Sequence, residues 1–195
     1  MNTYCINLKS RPDRWSAVQE EAKKLDLNLI RFGAIRSACG SEGCFKSHLQ
    51  LLLRVKDEGI FMIIEDDMKV IGTKAQYEKS LLELPDDWDM LYLGASFPPD
   101  APDKLIKYTD SLYHLQGGLC THAMLFNNQH GVADWIINNV NDIFIDRMYM
   151  KQVQPKFNCY ITYPMIATQQ EGFSDITQKH TDYSEIDNSY RKRTR

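Results

Sequence analysis

Apolar positions along the chain switch between a strand-like and a helix-like spacing, and the switches predict alternating strands and helices. Thr3 to Leu8 predicts a strand, and Trp15, Val18, Ala22 and Leu25 then recur at helical spacing before Asn28 to Phe32 predicts a second strand. Ser10-Arg11-Pro12-Asp13 has the Ser-x-x-acid pattern of a helix start, with proline in the first turn. A second helix is predicted from Ser41 or Glu42 to Glu58, stopped by Gly59, with Cys44, Ser47, His48, Leu51 and Val55 on one face. Ile60 to Ile64 is apolar throughout, as in a parallel strand covered on both faces. Further on, Tyr77, Leu81, Leu82 and Leu84 predict a helix ended by Pro85, and Met90 to Leu93 a buried strand stopped by Gly94. Residues 95–110, with Pro98, Pro99 and Pro102, read as a long loop of the kind that tends to be functional. Leu112 to Leu115 and Thr121 to Phe126 read as strands around Gln116-Gly117-Gly118, whose glycines would allow a ligand close to the backbone. Val132, Ile136 and Val140 mark another helix, carrying Trp135. Strands alternating with helices predict an α/β fold around a mostly parallel sheet.

Composition narrows the class. With 195 residues, 43% hydrophobic and 25% charged, the chain suits one domain with a full-sized core. The expected division is a single domain over 1–177 and a polar, basic tail over 178–195, ending Arg191-Lys192-Arg193-Thr194-Arg195. A net charge of -3 gives no general attraction for nucleic acid or an anionic membrane. The start of the chain has neither a basic leader nor a long apolar segment, so no signal peptide or transmembrane helix is expected, and the expected location is the cytoplasm. The five cysteines, Cys5, Cys39, Cys44, Cys120 and Cys159, form no CxxC pair and are expected to be small core residues.

The chemistry gathers where the Ile60 to Ile64 run ends in Glu65-Asp66-Asp67. Such a strand delivers its acids to the carboxyl edge of the sheet, where α/β folds bind ligands. Three adjacent carboxylates repel one another unless a cation or ligand hydroxyls compensate them; a solvated acidic turn and a site for a hard divalent ion are both open readings, and delivery by a buried strand favours the ion. Ahead of it, the first strand-to-helix connection carries Asn7, Leu8, Lys9, Arg11 and Arg14, whose arginines can be read as phosphate partners or, each taken alone, as a solvated helix end. Ser47 and His48 sit early on the helix leading into the acidic strand, and a buried histidine and a substrate contact are both open readings of the pair. Adjacent on a helix, they are not a nucleophile pair. Neither GxGxxG nor GxxxxGK[ST] occurs, so a dinucleotide fingerprint and a P-loop are unsupported.

Several of these residues stand in the order of a known family's motifs. Asn7-Leu8 with Arg11, Asp13 and Arg14; Gly43-Cys44 with Ser47-His48; Ile64-Glu65-Asp66-Asp67; and Trp88-Asp89 with Tyr92-Leu93-Gly94 resemble glycosyltransferase family 25, that of lipooligosaccharide and collagen β-galactosyltransferases. Gly118, His122-Ala123, Asp146, Tyr163-Pro164, Gln169 and Ser174-Asp175-Ile176 extend the resemblance. It implies a Rossmann-like α/β/α sandwich of the A-type glycosyltransferase fold, and a nucleoside diphosphate sugar, expected to be uridine-linked, as donor. The acceptor would be a glycan, lipid-linked or protein hydroxyl.

Inverting transfer on such a donor needs the leaving diphosphate neutralised and the acceptor hydroxyl deprotonated from the opposite face. Asp67 is the expected principal ligand of Mn²⁺ or Mg²⁺, with Glu65 joining it or reaching the donor's ribose, and Asp66 facing the sugar. Asp146, lifted out of the apolar run Ile143-Phe144-Ile145, is the expected base; the alternative is a cap for a short helix over 147–151, and Asp175 stands in reserve. Two other classes stay open. One is a metal-dependent hydrolase or phosphotransferase drawing on Asp146 and His180, and the other is a non-catalytic sugar-nucleotide-binding module.

Overall fold

The computed structural model describes residues 1–101, 105–139, 142–174, 179–182, 190 and 192–194. Among residues singled out above, Pro102, Val140, Asp175, Ile176, Arg191 and Arg195 lie outside that set. Strand β1 (Asn2–Asn7) leads to helix α1 (Pro12–Lys23), β2 (Leu29–Gly33), α2 (Gly40–Val55) and, after a short 3-10 turn, β3 (Ile60–Glu65). Then come β4 (Met68–Val70), α3 (Lys74–Leu82), β5 (Met90–Tyr92), β6 (Ile106–Lys107), β7 (Leu112–His114), β8 (Ala123–Asn127) and α4 (Val132–Asn139). The chain continues through α5 (Ile145–Met148), a π-helical turn over Tyr149–Val153, β9 (Cys159–Thr162), β10 (Ala167–Gln169), β11 (Gly172–Ser174) and β12 (Lys179–Thr181).

Eight strands form one sheet in the order β2-β1-β3-β8-β5-β9-β7-β6. Strands β1, β2 and β3 are mutually parallel, and only β8 and β7 run against the rest of the sheet. Phe61, Met62, Ile63 and Ile64 of β3 have no exposure, because alternate side chains enter two separate cores. On one face Phe61 and Ile63 meet Leu51, Leu52 and Val55 of α2 and Ile136 of α4; Phe61 stacks on Phe126 of β8 at 5.2 Å. On the other, Met62 and Ile64 meet Val18 of α1 and Tyr77 of α3. The result is a Rossmann-like α/β/α sandwich, and each fully buried side chain of β3 contributes about 1.5–3 kcal/mol. Among the described residues no helix is long and apolar enough to cross a membrane.

Local expectations need four corrections. Ser10 does not cap α1: the boundary residue is Arg11, no side chain caps it, and Pro12 opens the helix. Segment 95–110 is more than a loop, because Phe97 and Leu105 are buried, Ser96 bridges to Leu119, and β6 pairs with β7. Gly118 approaches protein: a Cβ there would meet Leu115 at 2.6 Å, and the Gln154 side-chain amide brackets its backbone, accepting from N at 3.1 Å and donating to O at 2.8 Å. The cysteines are not uniformly core, since Cys39 is exposed and Cys44 and Cys120 are half-buried. Near the end of the chain, Tyr190 is buried, donating to the Thr162 carbonyl at 2.7 Å and stacking on Phe97.

Candidate functional site

A cleft of about 670 Å³ opens along the carboxyl ends of β1, β2 and β3. Its walls include Leu8, Ser10 and Arg14 after β1, residues 34–38 after β2, Gly43, Cys44 and Ser47 of α2, and Glu65, Asp66 and Asp67 after β3, with Gln169 from β10. Parallel pairing that sets Asn7 beside Gly33 and Ile6 beside Glu65 brings the three strand ends level. The expected carboxylates therefore share one cleft, and each is held differently.

Glu65 is tied by side chains from α2 and from the approach to β8. Its Oε1 accepts from Thr121 Oγ1 at 2.6 Å and meets His48 Nε2 at 3.0 Å, with the Cys44 thiol at 3.8 Å. Burial pushes its carboxyl up, but the His48 hydrogen bond and charge, with the Thr121 hydroxyl, outweigh it, and the group lies below its usual range. His48 is fully buried and its Nδ1 has no partner among the described residues. Burial pushes the Cys44 thiol well above its ordinary value, and Glu65 adds to the push.

Asp66 is tied to the first strand-helix connection. Its Oδ2 accepts from Asn7 Nδ2 at 2.6 Å and its Oδ1 from Arg14 at 2.9 Å. Asn7 also donates to the Arg11 carbonyl at 3.1 Å and accepts from Arg31, whose guanidinium lies over the Trp15 ring at 5.2 Å. Burial raises Asp66 despite the opposing pull of Asn7 and Arg14.

Asp67 is the least satisfied. The antiparallel pairing of β4 with β10 sets Gln169 opposite Met68, so that Gln169 Nε2 donates to Asp67 Oδ2 at 3.2 Å. The other oxygen, Oδ1, is buried with no partner among the described residues. Burial, followed by the charges of Glu65 and Asp66, pushes the carboxyl up to about 7.

Other expected residues fall in varied places. Arg11 pairs with Asp13 at 2.8 Å beside the helix start and outside the cleft lining, holding the Asp13 carboxyl near a pKa of about 2. Ser47 is fully buried, donating to the Gly43 carbonyl at 2.6 Å and accepting from the Ile35 N–H at 2.8 Å. Asp146 is half-buried in the first turn of α5, which begins at Ile145, and is not its cap; its Oδ1 accepts from the Arg147 N–H at 2.8 Å. Burial raises it most, the Arg147 N–H draws it back, and the charge of Glu65 adds to the rise, which puts it in electrostatic reach of the cleft. His180 is exposed on β12, which pairs with β11, beside Glu171 and outside the cleft lining. Asp89 lies at the opposite end of its strand, where it accepts from the Asn158 N–H at 2.8 Å and meets His130 at 3.1 Å. Arg31, Arg36 and Thr121 are contributors that sequence reasoning did not single out; they stand in segments whose meeting depends on which strands pair.

Fold and site together define an α/β/α domain with an acidic cleft at the carboxyl edge of its parallel strands. Two solved structures share that fold. The protein A197 from STIV is similar at TM-score 0.51 and 13% identity, over 94% of this chain and 96% of that one. A glycosyltransferase involved in the glycosylation of the major capsid of PBCV-1 is similar at TM-score 0.50 and 9% identity, over 82% of this chain and 80% of that one. No family model and no curated protein matches the chain. At such identities the likeness shows the fold, and activity is argued from the site.

Proposed function

We propose that the protein is a glycosyltransferase that moves a hexose from a nucleoside diphosphate sugar, uridine-linked, onto a hydroxyl of a glycan, lipid-linked or protein acceptor, with inversion. The observation that carries this reading is the meeting, in one cleft at the carboxyl edge of parallel strands, of Glu65, Asp66 and Asp67 with Arg14 and Arg36. That edge is where α/β sheets bind nucleotides, and about 300–1,000 Å³ is the usual size of a small-molecule pocket. The fold shared with a capsid glycosyltransferase and the ordered resemblance to family 25 support the same reading.

The residues present fit the divalent ion that such a transferase implies. Asp67 Oδ1 is buried and unpartnered among the described residues, and its carboxyl is driven up by two neighbouring acids, a cost that a cation would remove. Asp67 would hold Mn²⁺ or Mg²⁺, with Glu65 in support. When bound, the ion supplies charge neutralisation to the leaving diphosphate. Cys44, His48 and Glu65 form a second donor set, their ligand atoms within 4.8 Å of one another. That set suits a softer ion, but its Glu65 oxygen already serves His48 and Thr121, and its thiol stays protonated. The Asn7 and Arg14 bonds make Asp66 a tie between β3 and the first strand-helix connection. Asp146 is the proposed base: a carboxyl raised by burial is the better proton acceptor.

Thermal melting with a panel of nucleoside diphosphate sugars and Mn²⁺ tests the reading, because a ligand at about 100 times its Kd adds about 2.7 kcal/mol to stability. At least one uridine diphosphate sugar is expected to raise the melting temperature. A panel without effect overturns the proposal.

A further inference from the structure

The cations expected to meet the donor's phosphates were Arg11 and Arg14. In the folded chain Arg11 pairs with Asp13, and Arg14 pairs with Asp66 with most of its side chain buried. A third arginine, Arg36, lines the cleft from the β2–α2 connection. Among the described residues its guanidinium has no hydrogen-bond or ion-pair partner, although carboxylates line the same cleft.

The backbone on both sides of Arg36 is fixed. Before it, the Ile35 N–H donates to Ser47 Oγ at 2.8 Å. After it, the Ser37 hydroxyl bonds Glu42 Oε2 and accepts from the Cys39 N–H at 3.3 Å. Gly43 lets this connection lie directly on the first turn of α2, since a Cβ there would stand 2.8 Å from the Ile35 carbonyl oxygen. Gly43 and Ser47 thus act on the connection, which gives both motif residues a purpose that no direct ligand contact requires. A segment anchored on either side, with an unpaired exposed guanidinium between the anchors, is built to present that charge. In a cleft with three acids, an incoming diphosphate meets repulsion unless an uncommitted cation receives it.

We infer that Arg36 is the donor-binding cation of this cleft, pairing with the diphosphate of a nucleoside diphosphate sugar, and that Gly43, Ser47 and Glu42 position it. The inference rests on the glycosyltransferase reading and adds a residue to it. Neither bond making nor bond breaking is assigned to Arg36; its part is to bind and orient the phosphates.

Calorimetric titration of uridine diphosphate, with and without Mn²⁺, into wild type, Arg36→Ala, Arg36→Lys and Lys107→Ala tests it. Lys107 pairs with Asp110 on the distant β6 strand, so its loss controls for net charge. Arg36→Ala is expected to raise Kd about 10- to 100-fold, the scale of a charge-assisted phosphate bond, and to flatten the dependence of affinity on salt. Arg36→Lys should recover part of the loss, and Lys107→Ala should match wild type. Far-ultraviolet circular dichroism and melting temperature should stay at wild-type values in every variant, since Arg36 is exposed. If wild type binds and Arg36→Ala binds equally well, or loses no more than Lys107→Ala, the inference is wrong while the proposed function stands. If wild type binds no nucleoside diphosphate, the proposed function itself fails and the inference falls with it.

Discussion

At Asp67, burial and the charges of Glu65 and Asp66 push the carboxyl to about 7, against about 3.9 for an unfolded aspartate. A carboxyl raised on folding keeps a proton that the unfolded chain has already lost. Its charge therefore costs stability as pH rises through the interval from about 4 to 7, and the cost is complete above it. Asp67→Asn removes that dependence. The variant should melt like wild type near pH 4 and gain on it by about 2–4 kcal/mol toward pH 8, and Mn²⁺ should narrow the gap by stabilising wild type only. Melting curves across that range check this, and parallel pH profiles would contradict it. Asp146→Asn should bind donor normally and lose about 10²- to 10⁴-fold in kcat, the scale of general base catalysis. Weakened donor binding with kcat intact would assign Asp146 to structure instead. The three acids were legible in the sequence because a wholly apolar run ends abruptly in charge. Arg36 and Thr121 were not, since neither follows a periodic pattern; strand pairings distant in sequence bring Arg36 to the cleft and Thr121 to Glu65.

Among the elements, α2 and β10 decide the shape of the cleft. The helical spacing of Cys44, Ser47, His48, Leu51 and Val55 was plain, and all but the half-buried Cys44 are fully covered. What each polar member does on that face was not plain, because Ser47 turns to a backbone N–H of the preceding connection while His48 turns to β3. The contribution of β10 was hidden for the same reason: a strand of three residues, two of them polar, gives little period, and its place is fixed by pairing with β4. Gly94, two residues past β5, makes that place available. A Cβ there would lie 1.9 Å from the Ala167 carbonyl oxygen, a backbone atom of β10. Gly94→Ala is expected to cost about 1–3 kcal/mol or more and to loosen Gln169 from Asp67. Denaturant midpoints measure the first effect, and a wild-type midpoint would show that β10 yields without cost.

For the molecule as a whole, periodicity and turn residues were enough to predict alternating layers, because β3 must be covered on both faces and helices of one apolar stripe supply the cover. The strand order was out of reach, since β8 enters between β3 and β5 from far along the chain and against their direction. That insertion brings Thr121 and His122 to the acidic edge, where the Glu65 N–H donates to the His122 carbonyl at 3.0 Å. The architecture therefore assembles the cleft from four separate stretches of sequence. The most direct test is to follow a uridine diphosphate sugar labelled in its hexose, with Mn²⁺ and a panel of glycan, lipid-linked and protein acceptors. The expected result is release of the nucleoside diphosphate together with labelled hexose bound to an acceptor hydroxyl, its anomeric configuration inverted. Labelled free hexose with every acceptor would make the protein a hydrolase, and donor that binds but is never consumed would make it a binding module; either result contradicts the proposed transfer.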